Sequence, residues 1–350
     1  MSYTKQEKKI RTTHKVRQLG SVWLWTMARR IEVRDILQFA DDLREADAPL
    51  KQPVEFETDQ VHQTAMSVKW TTEDDGGRRM KQYTILTADG FRVAVTEGGS
   101  GIPLVFLHGL SVSAAAYTEM LELLAGNGFH VFAFDCPDHG GSDSLPWGHT
   151  VKDMAYVLDQ ALDAAAVHAD AVLVGHSMGG WIAAELAAMH PYLYSNVILL
   201  DAAVGREFHE SVRLRSGAQF LAGAVRDVYG DVRKAGSIRK LGERLSLISR
   251  LTSSVSGPGI LRAINAVMHS DSEDALRALR GQVRTVVVHG SEDGIVPMRA
   301  GWSAANVARG RFHMLIGRYH SWMISDPELA LRVINEALNL TPNDDEGDAA

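Results

Sequence analysis

From Gln82 onward, short apolar runs alternate with amphipathic ones, and the change of period predicts strands alternating with helices. Gln82–Thr87 and Phe91–Thr96 read as two strands around the turn Ala88-Asp89-Gly90, and the Gly98-Gly99-Ser100-Gly101 run reads as a turn into a buried strand, Leu104–Leu107. Further strands are predicted at His130–Phe134, Ala171–Val174, Asn196–Leu200, Arg284–Val288 and Arg311–Ile316. Helices are predicted at Tyr117–Ala125, Val151–Ala164, Met178–Met189, Met298–Ala308 and Pro327–Leu338. Apolar strands separated by helices predict an α/β fold with a mostly parallel sheet covered on both faces.

Three stretches depart from this rhythm. In the first 80 residues, Val16, Leu19, Trp23 and Met27, then Val33, Ile36, Leu37, Ala40 and Leu43, recur at helical spacing before Pro49 and Pro53 end the pattern. Between Asp201 and Arg284 the sequence is helical and Arg-rich without a convincing strand, which predicts a helical insertion over one end of the sheet. The last ten residues are acidic and read as a disordered tail. The expected organisation is therefore an N-terminal helical extension and linker (1–80), a core (81–203 and 281–340), a helical cap (204–280) and the tail (341–350).

Composition narrows the function classes. The 350 residues contain one cysteine, so neither an intramolecular disulfide nor a thiolate zinc site can form. No apolar run reaches the roughly 20 residues needed to span a bilayer, and the basic start is followed by Arg29 and Arg30 without a small-x-small cleavage site, which argues against an export signal. A cytoplasmic protein, peripheral to the membrane at most, is the expectation. The net charge is −7 and unevenly spread, with residues 1–34 carrying nine Lys and Arg against two Glu, and without a global basic surface a nucleic-acid-binding role is not expected. Residues 1–50 read as a helical hairpin packed on the core, a contact between copies, or a basic segment on an anionic membrane, with packing or association favoured over the membrane.

The segment that decides the chemistry is Ala171-Val-Leu-Val-Gly-His-Ser-Met-Gly-Gly180, an apolar strand running into Gly175-His176-Ser177-Met178-Gly179 and then an Ala-rich helix. Glycines at both flanks are what a sharp strand-to-helix turn needs, and such a turn would project the Ser177 hydroxyl at the carboxyl end of the sheet. The helix behind it would add positive potential for a developing negative charge. A serine hydroxyl needs a base, and the base needs an orienting carboxylate. Both stand downstream at strand ends, Asp293 in His289-Gly-Ser-Glu-Asp-Gly-Ile-Val-Pro297 and His320 in Gly317-Arg-Tyr-His-Ser-Trp322.

In this the sequence resembles the α/β-hydrolase superfamily, and within it the serine esterase and lipase branch, over about Tyr83 to Leu340. The motifs are His108-Gly109 after the third strand, Asp135-Cys-Pro-Asp-His-Gly-Gly-Ser142 after the fourth, Gly175-His-Ser-Met-Gly179, and the paired Asp293 and His320. The resemblance implies Ser177 as nucleophile, His320 as general base and acid, Asp293 as its orienter, and an oxyanion hole from the backbone N–H groups of Leu110 and Met178. His108 and Gly109 would shape the oxyanion turn, and Gly175 and Gly179 the elbow. Where this sequence has Asp138 the family commonly has a glycine, and Gly141 replaces a variable residue, which weakens any analogy of substrate.

Each assignment has a plainer competitor. Ser177 could be an ordinary helix N-cap, and His320 a satisfied loop histidine. Asp201 also ends a strand and competes with Asp293, with a turn cap as its expected role. His139 and His289 read as structural, His176 as a support of the elbow, and Cys136 as a small apolar filler. HExxH and phosphate-loop patterns are absent, so neither a metal nor a cofactor is expected. Residues 206–280 carry 13 Arg and Lys against eight Asp and Glu, a solvated face or a cap attracting an acidic acyl substrate. Phe220, Leu221, Leu245, Leu247, Ile248 and Ile264 could face the acyl group or only pack the cap. The expected activity is cofactor-independent hydrolysis of a small carboxylic ester through an acyl-enzyme on Ser177. Thioester or C–C bond hydrolysis, acyl transfer, and a silent binding protein on the same fold are the alternatives.

Overall fold

The computed structural model describes residues 80–167, 170–213 and 257–339. The chain divides into two units at Val61 and His62, and all described residues belong to the second. The expectations for the N-terminal extension, for most of the apolar cap residues and for the acidic tail lie outside the described residues. Among the described residues no helix is long and apolar enough to cross a membrane.

Eight strands form one sheet: β1 (Lys81–Leu86), β2 (Arg92–Gly99), β3 (Ile102–Leu107), β4 (Phe129–Phe134), β5 (Ala171–His176), β6 (Tyr194–Leu200), β7 (Arg284–Gly290) and β8 (Arg311–Leu315). Their order is β1-β2-β4-β3-β5-β6-β7-β8. Only β1 with β2 and β2 with β4 pair antiparallel; the rest are parallel. The jump from β2 past β3 to β4 leaves β3 and β5 adjacent in the middle. Their carboxyl ends, carrying His108-Gly109 and His176-Ser177, therefore lie side by side.

Successive side chains on a strand point to opposite faces, so runs such as Leu104-Val-Phe-Leu107 feed two cores at once. Val105, Leu107, Leu173, Leu199 and Val287 pack on one face with helices α2 (Val151–Ala164), α3 (Met178–Met189) and α7 (Met298–Ala308). Leu104, Phe106, Val174, Ile198 and Val288 pack on the other with α1 (Thr118–Ala125) and α9 (Pro327–Leu338). Helix α2 starts at a capping box between Thr150 and Asp153 and buries Val151, Met154, Ala155, Leu158 and Leu162 along one stripe. Helix α3 is buried almost all round, which suits its Ala-rich sequence and its place between sheet and neighbouring helices.

The short helix α8 (Trp322–Ser325) buries Trp322 completely, and no strong period marks it in the sequence. Within the 204–280 interval the described helices are α4 (Arg206–Arg213), α5 (Gly257–His269) and α6 (Glu273–Ala278). Helix α5 is tied to the loop after β4: Arg262 Nε donates to Asp138 Oδ1 at 2.7 Å, and its NH2 group donates to Ser144 Oγ at 2.7 Å. The Asp138 side chain is fully buried and also faces His149 Nε2 at 3.3 Å. Asp138 has φ 68°, in the left-handed region that favours glycine, which is the physical sense of the glycine expected there by resemblance.

Candidate active site

Ser177 sits between the end of β5 and the first residue of α3 with φ 54° and ψ −119°, a backbone conformation that costs a non-glycine residue energy. Tertiary bonds hold it there: its N–H donates to Leu200 O at 3.0 Å, and its carbonyl accepts from Ala203 N–H at 3.0 Å. Its side chain makes no capping bond to α3, so the N-cap competitor does not describe it. The flanking glycines are required by close approach. A Cβ on Gly175 would lie 2.2 Å from Gly179 O, and one on Gly179 would lie 2.2 Å from Leu107 O. The elbow is thus pressed against the end of β3.

The loop after β3 is held from three sides. His108 Nε2 accepts from Cys136 N–H at 2.8 Å, so its Nδ1 carries the proton bonded to Gly109 O at 2.8 Å. Ser111 N–H donates to His139 Nε2 at 3.3 Å, and the other His139 nitrogen bonds Pro137 O at 2.9 Å. Gly109 N–H donates to the Tyr117 hydroxyl at 3.3 Å. Gly109 lies beside the Ser177 turn, since a Cβ there would come within 3.3 Å of Ser177 Cβ. Leu110 is the next residue, and Met178 is the first of α3, whose leading N–H groups have no partner within the helix. Burial pushes the His108 and His139 imidazoles down to about 4, so both act as neutral hydrogen-bonding groups.

His176 links this loop to the segment carrying His320. A carbonyl can only accept, so the 2.8 Å contact between His176 Nε2 and His320 O places the proton on Nε2. His176 Nδ1 then accepts from the Tyr117 hydroxyl at 2.6 Å. The chain of bonds runs from Gly109 N–H through Tyr117 O–H and His176 to the His320 carbonyl, and burial keeps His176 neutral, well below the usual imidazole range.

His320 and Asp293 come together as the sequence predicts, with His320 Nδ1 bonded to Asp293 Oδ2 at 2.8 Å. Asp293 Oδ1 accepts the backbone N–H groups of Ile295 and Val296, each at 2.8 Å. Burial opposes the Asp293 charge, but the adjacent His320 and these donors outweigh it and hold the carboxyl below its usual range.

Asp201 does not cap a turn, as its position at the end of β6 suggests. Its Oδ1 accepts from Gly290 N–H at 2.8 Å and its Oδ2 from Trp322 Nε1–H at 2.6 Å, directly behind Asp293. Burial, then the neighbouring Asp293 charge, raise the Asp201 carboxyl well above the usual range. Asp201, His289 and Asp293 offer ligand atoms within 4.8 Å of one another. A cation does not fit them, because both Asp201 oxygens face N–H donors and His289 Nε2 is itself the donor to Val296 O at 3.0 Å. Cys136 is buried, with its thiol pushed up by that burial, as a filler would be. Sequence reading gave no role to Tyr117, at the start of a predicted helix, or to Trp322, at the end of the segment quoted for His320.

Comparison with known proteins fits this geometry. The family model described as "Alpha/beta hydrolase family" matches residues 104–333. A putative non-heme haloperoxidase of Mycobacterium phage D29 is 47% identical over 267 residues, covering 74% of this chain and 95% of that protein. A non-heme haloperoxidase of Rhodococcus erythropolis is 30% identical over 237 residues, covering 61% of this chain and 83% of its own. Among solved structures, an esterase from Exiguobacterium antarcticum superposes with a TM-score of 0.60 at 21% identity, over 73% of this chain and 98% of that one, a likeness of fold.

Proposed function

The chain belongs to the alpha/beta hydrolase family, and from that premise we propose that it is a serine hydrolase that cleaves a carboxylic ester through an acyl-enzyme on Ser177. The observation that carries this reading is the 2.8 Å bond between His320 Nδ1 and the buried Asp293, on a segment tied through His176 to the strand end that presents Ser177. With its Nδ1 proton given to Asp293, His320 keeps Nε2 as a base. Ser177 Oγ attacks the ester carbonyl as His320 takes its proton, and Asp293 stabilises the imidazolium. The tetrahedral oxyanion is met by the N–H groups of Leu110 and Met178 and by the positive end of α3. His320 then protonates the leaving alcohol, and water cleaves the acyl-enzyme with His320 again as base. These steps use side chains, backbone and water alone.

Fluorophosphonate labelling followed by intact mass tests the reading. One adduct on the wild type and none on Ser177→Ala is expected, with turnover of p-nitrophenyl acetate falling by about 10⁴ to 10⁶. Activity of the variant within tenfold of wild type defeats the assignment. Adding an alcohol acceptor separates hydrolysis from acyl transfer, since an acyltransferase would divert the acyl group to it.

The names of the two haloperoxidase relatives favour a second reading, peroxide-dependent halogenation. Halogenated product from a phenolic acceptor, formed with halide and peroxide faster than any ester is cleaved, would support it over esterase activity.

A further inference from the structure

Asp201 has a role that ester hydrolysis by Ser177, His320 and Asp293 leaves unused. It follows β6 directly, has no exposed surface, and its own N–H is bonded to Val288 O at 2.9 Å. Besides accepting from Gly290 N–H and Trp322 Nε1–H, its carboxyl has an oxygen within 4.8 Å of one on Asp293. Two buried carboxylates this close repel strongly if both are anions, and a single proton held by one of them removes that repulsion.

Which member holds the proton follows from the partners. Asp293 receives the Ile295 and Val296 N–H groups and the His320 imidazole, which becomes a cation during turnover. Its Oδ2 also lies 3.4 Å from His289 Nε2. Asp201 has two neutral N–H donors and no cation. The other titratable groups are His289 on β7, buried and held below the usual imidazole range, and His176 at the end of β5, which faces His320. Neither brings positive charge to Asp201.

We propose that Asp201 is a positioning residue that works as a neutral carboxylic acid, donating its proton to an Asp293 oxygen and fixing the carboxylate that orients His320. The proposal rests on the reading of His320 as base and Asp293 as its orienter. It adds that the pair carries one negative charge, not two. The imidazolium of the reaction is then balanced by a single carboxylate whose direction is set by Asp201, in turn held by Trp322 and Gly290.

Infrared difference spectroscopy at pH 7, wild type minus Asp201→Asn, tests it without any substrate. A carboxylic-acid C=O band present in wild type and missing from the variant is expected; loss of carboxylate bands alone would overturn the proposal. If Asp201→Asn does not fold, Trp322→Phe serves instead, because removing the N–H on Asp201 Oδ2 should shift the same band. An unshifted band, or none in wild type, overturns the proposal.

The second test is kinetic. Asp201→Ala is expected to lower kcat by about 10²-fold with KM nearly unchanged, the size of effect that follows from misdirecting a catalytic group, and Asp201→Asn, which keeps an N–H donor, to recover most of it. The acid limb of kcat/KM, which reports His320, should move by less than about 0.3 pH unit in Asp201→Asn, because no charge is removed. A downward move of about 1 unit or more would mean that wild-type Asp201 is charged, and would overturn the proposal. If no variant and no wild type cleaves esters, the function proposed for Ser177 fails, while the infrared band still decides the state of Asp201.

Discussion

At Tyr117 one hydroxyl serves two buried partners, accepting from Gly109 N–H and donating to His176 Nδ1. Tyr117→Phe leaves both without a partner in a region that water does not reach, and an unsatisfied buried group costs about 1–3 kcal/mol. We expect that loss in urea unfolding, together with a fall in kcat, since Gly109 precedes Leu110, whose N–H is proposed to meet the oxyanion, and His176 holds the His320 backbone. A variant as stable and active as wild type would mean that the hydrogen-bond chain contributes nothing. Ser177 sits in a strained conformation at the same scale, and the contacts of Gly175 and Gly179 keep it there. A methyl on Gly179 would meet the Leu107 carbonyl at 2.2 Å, where only backbone could give way. Gly179→Ala should therefore lose at least about 3 kcal/mol by chemical denaturation, as overpacking against rigid neighbours does at its upper range.

Between elements, the contact that joins helix α5 to the loop after β4 is a buried ion pair. Arg262 is 21% exposed at its side chain, whereas that of Asp138 is not exposed at all, so the two halves of the pair are unequal. Removing the cation by Arg262→Ala strands a buried carboxylate, at a cost of about 3–5 kcal/mol. Asp138→Gly removes the charge and relieves φ 68° together, so it should cost less, although it breaks the same pair. Thermal melts of the two variants check that order, and a reversed order would mean that the guanidinium is the member in need of a partner. Helix α3 is governed by a different balance. Its polar role lies in its first residue, Met178, while the rest is held by burial against the sheet, with Trp181 fully enclosed.

Over the whole molecule, buried histidines make folding depend on pH. Burial holds His108 and His139 near 4, and His176 and His289 also titrate below their unfolded value. Unfolding therefore takes up protons. The stability these groups contribute is fully present above pH about 6.5 and is lost as pH falls through that value toward the folded ones, by about 1.4 kcal/mol per proton and pH unit. Asp293, held low, adds a further loss only below the ordinary carboxylate range. Asp201, held high, acts in the opposite sense: its contribution is complete at low pH and disappears as pH rises through its folded value. With Asp201 offsetting part of the histidine loss, denaturant unfolding should show at least about 3 kcal/mol less stability at pH 5 than at pH 7. A difference under about 1 kcal/mol would mean that the histidines are charged or hydrated in the folded state.

The sequence by itself determined the eight strands, their main helices and the tight turn at Ser177, because each depends on neighbours within a few residues. Short continuous apolar runs mark the buried strands, the 3.6-residue period marks α2 and α9, and the glycines around Ser177 mark a turn too tight for side chains. Asp293 and His320 were legible through their places after successive strands, a regularity of parallel sheets. Only the tertiary structure decided which partners those groups meet. Tyr117 and His176 are 59 residues apart, His176 and His320 144, Asp201 and Trp322 121, and Asp138 and Arg262 124. No local period records such pairs. Asp201 shows the difference most plainly: a lone acid at a strand end reads as a turn cap, and it becomes a proton donor to Asp293 only because the sheet order sets β6 beside β7.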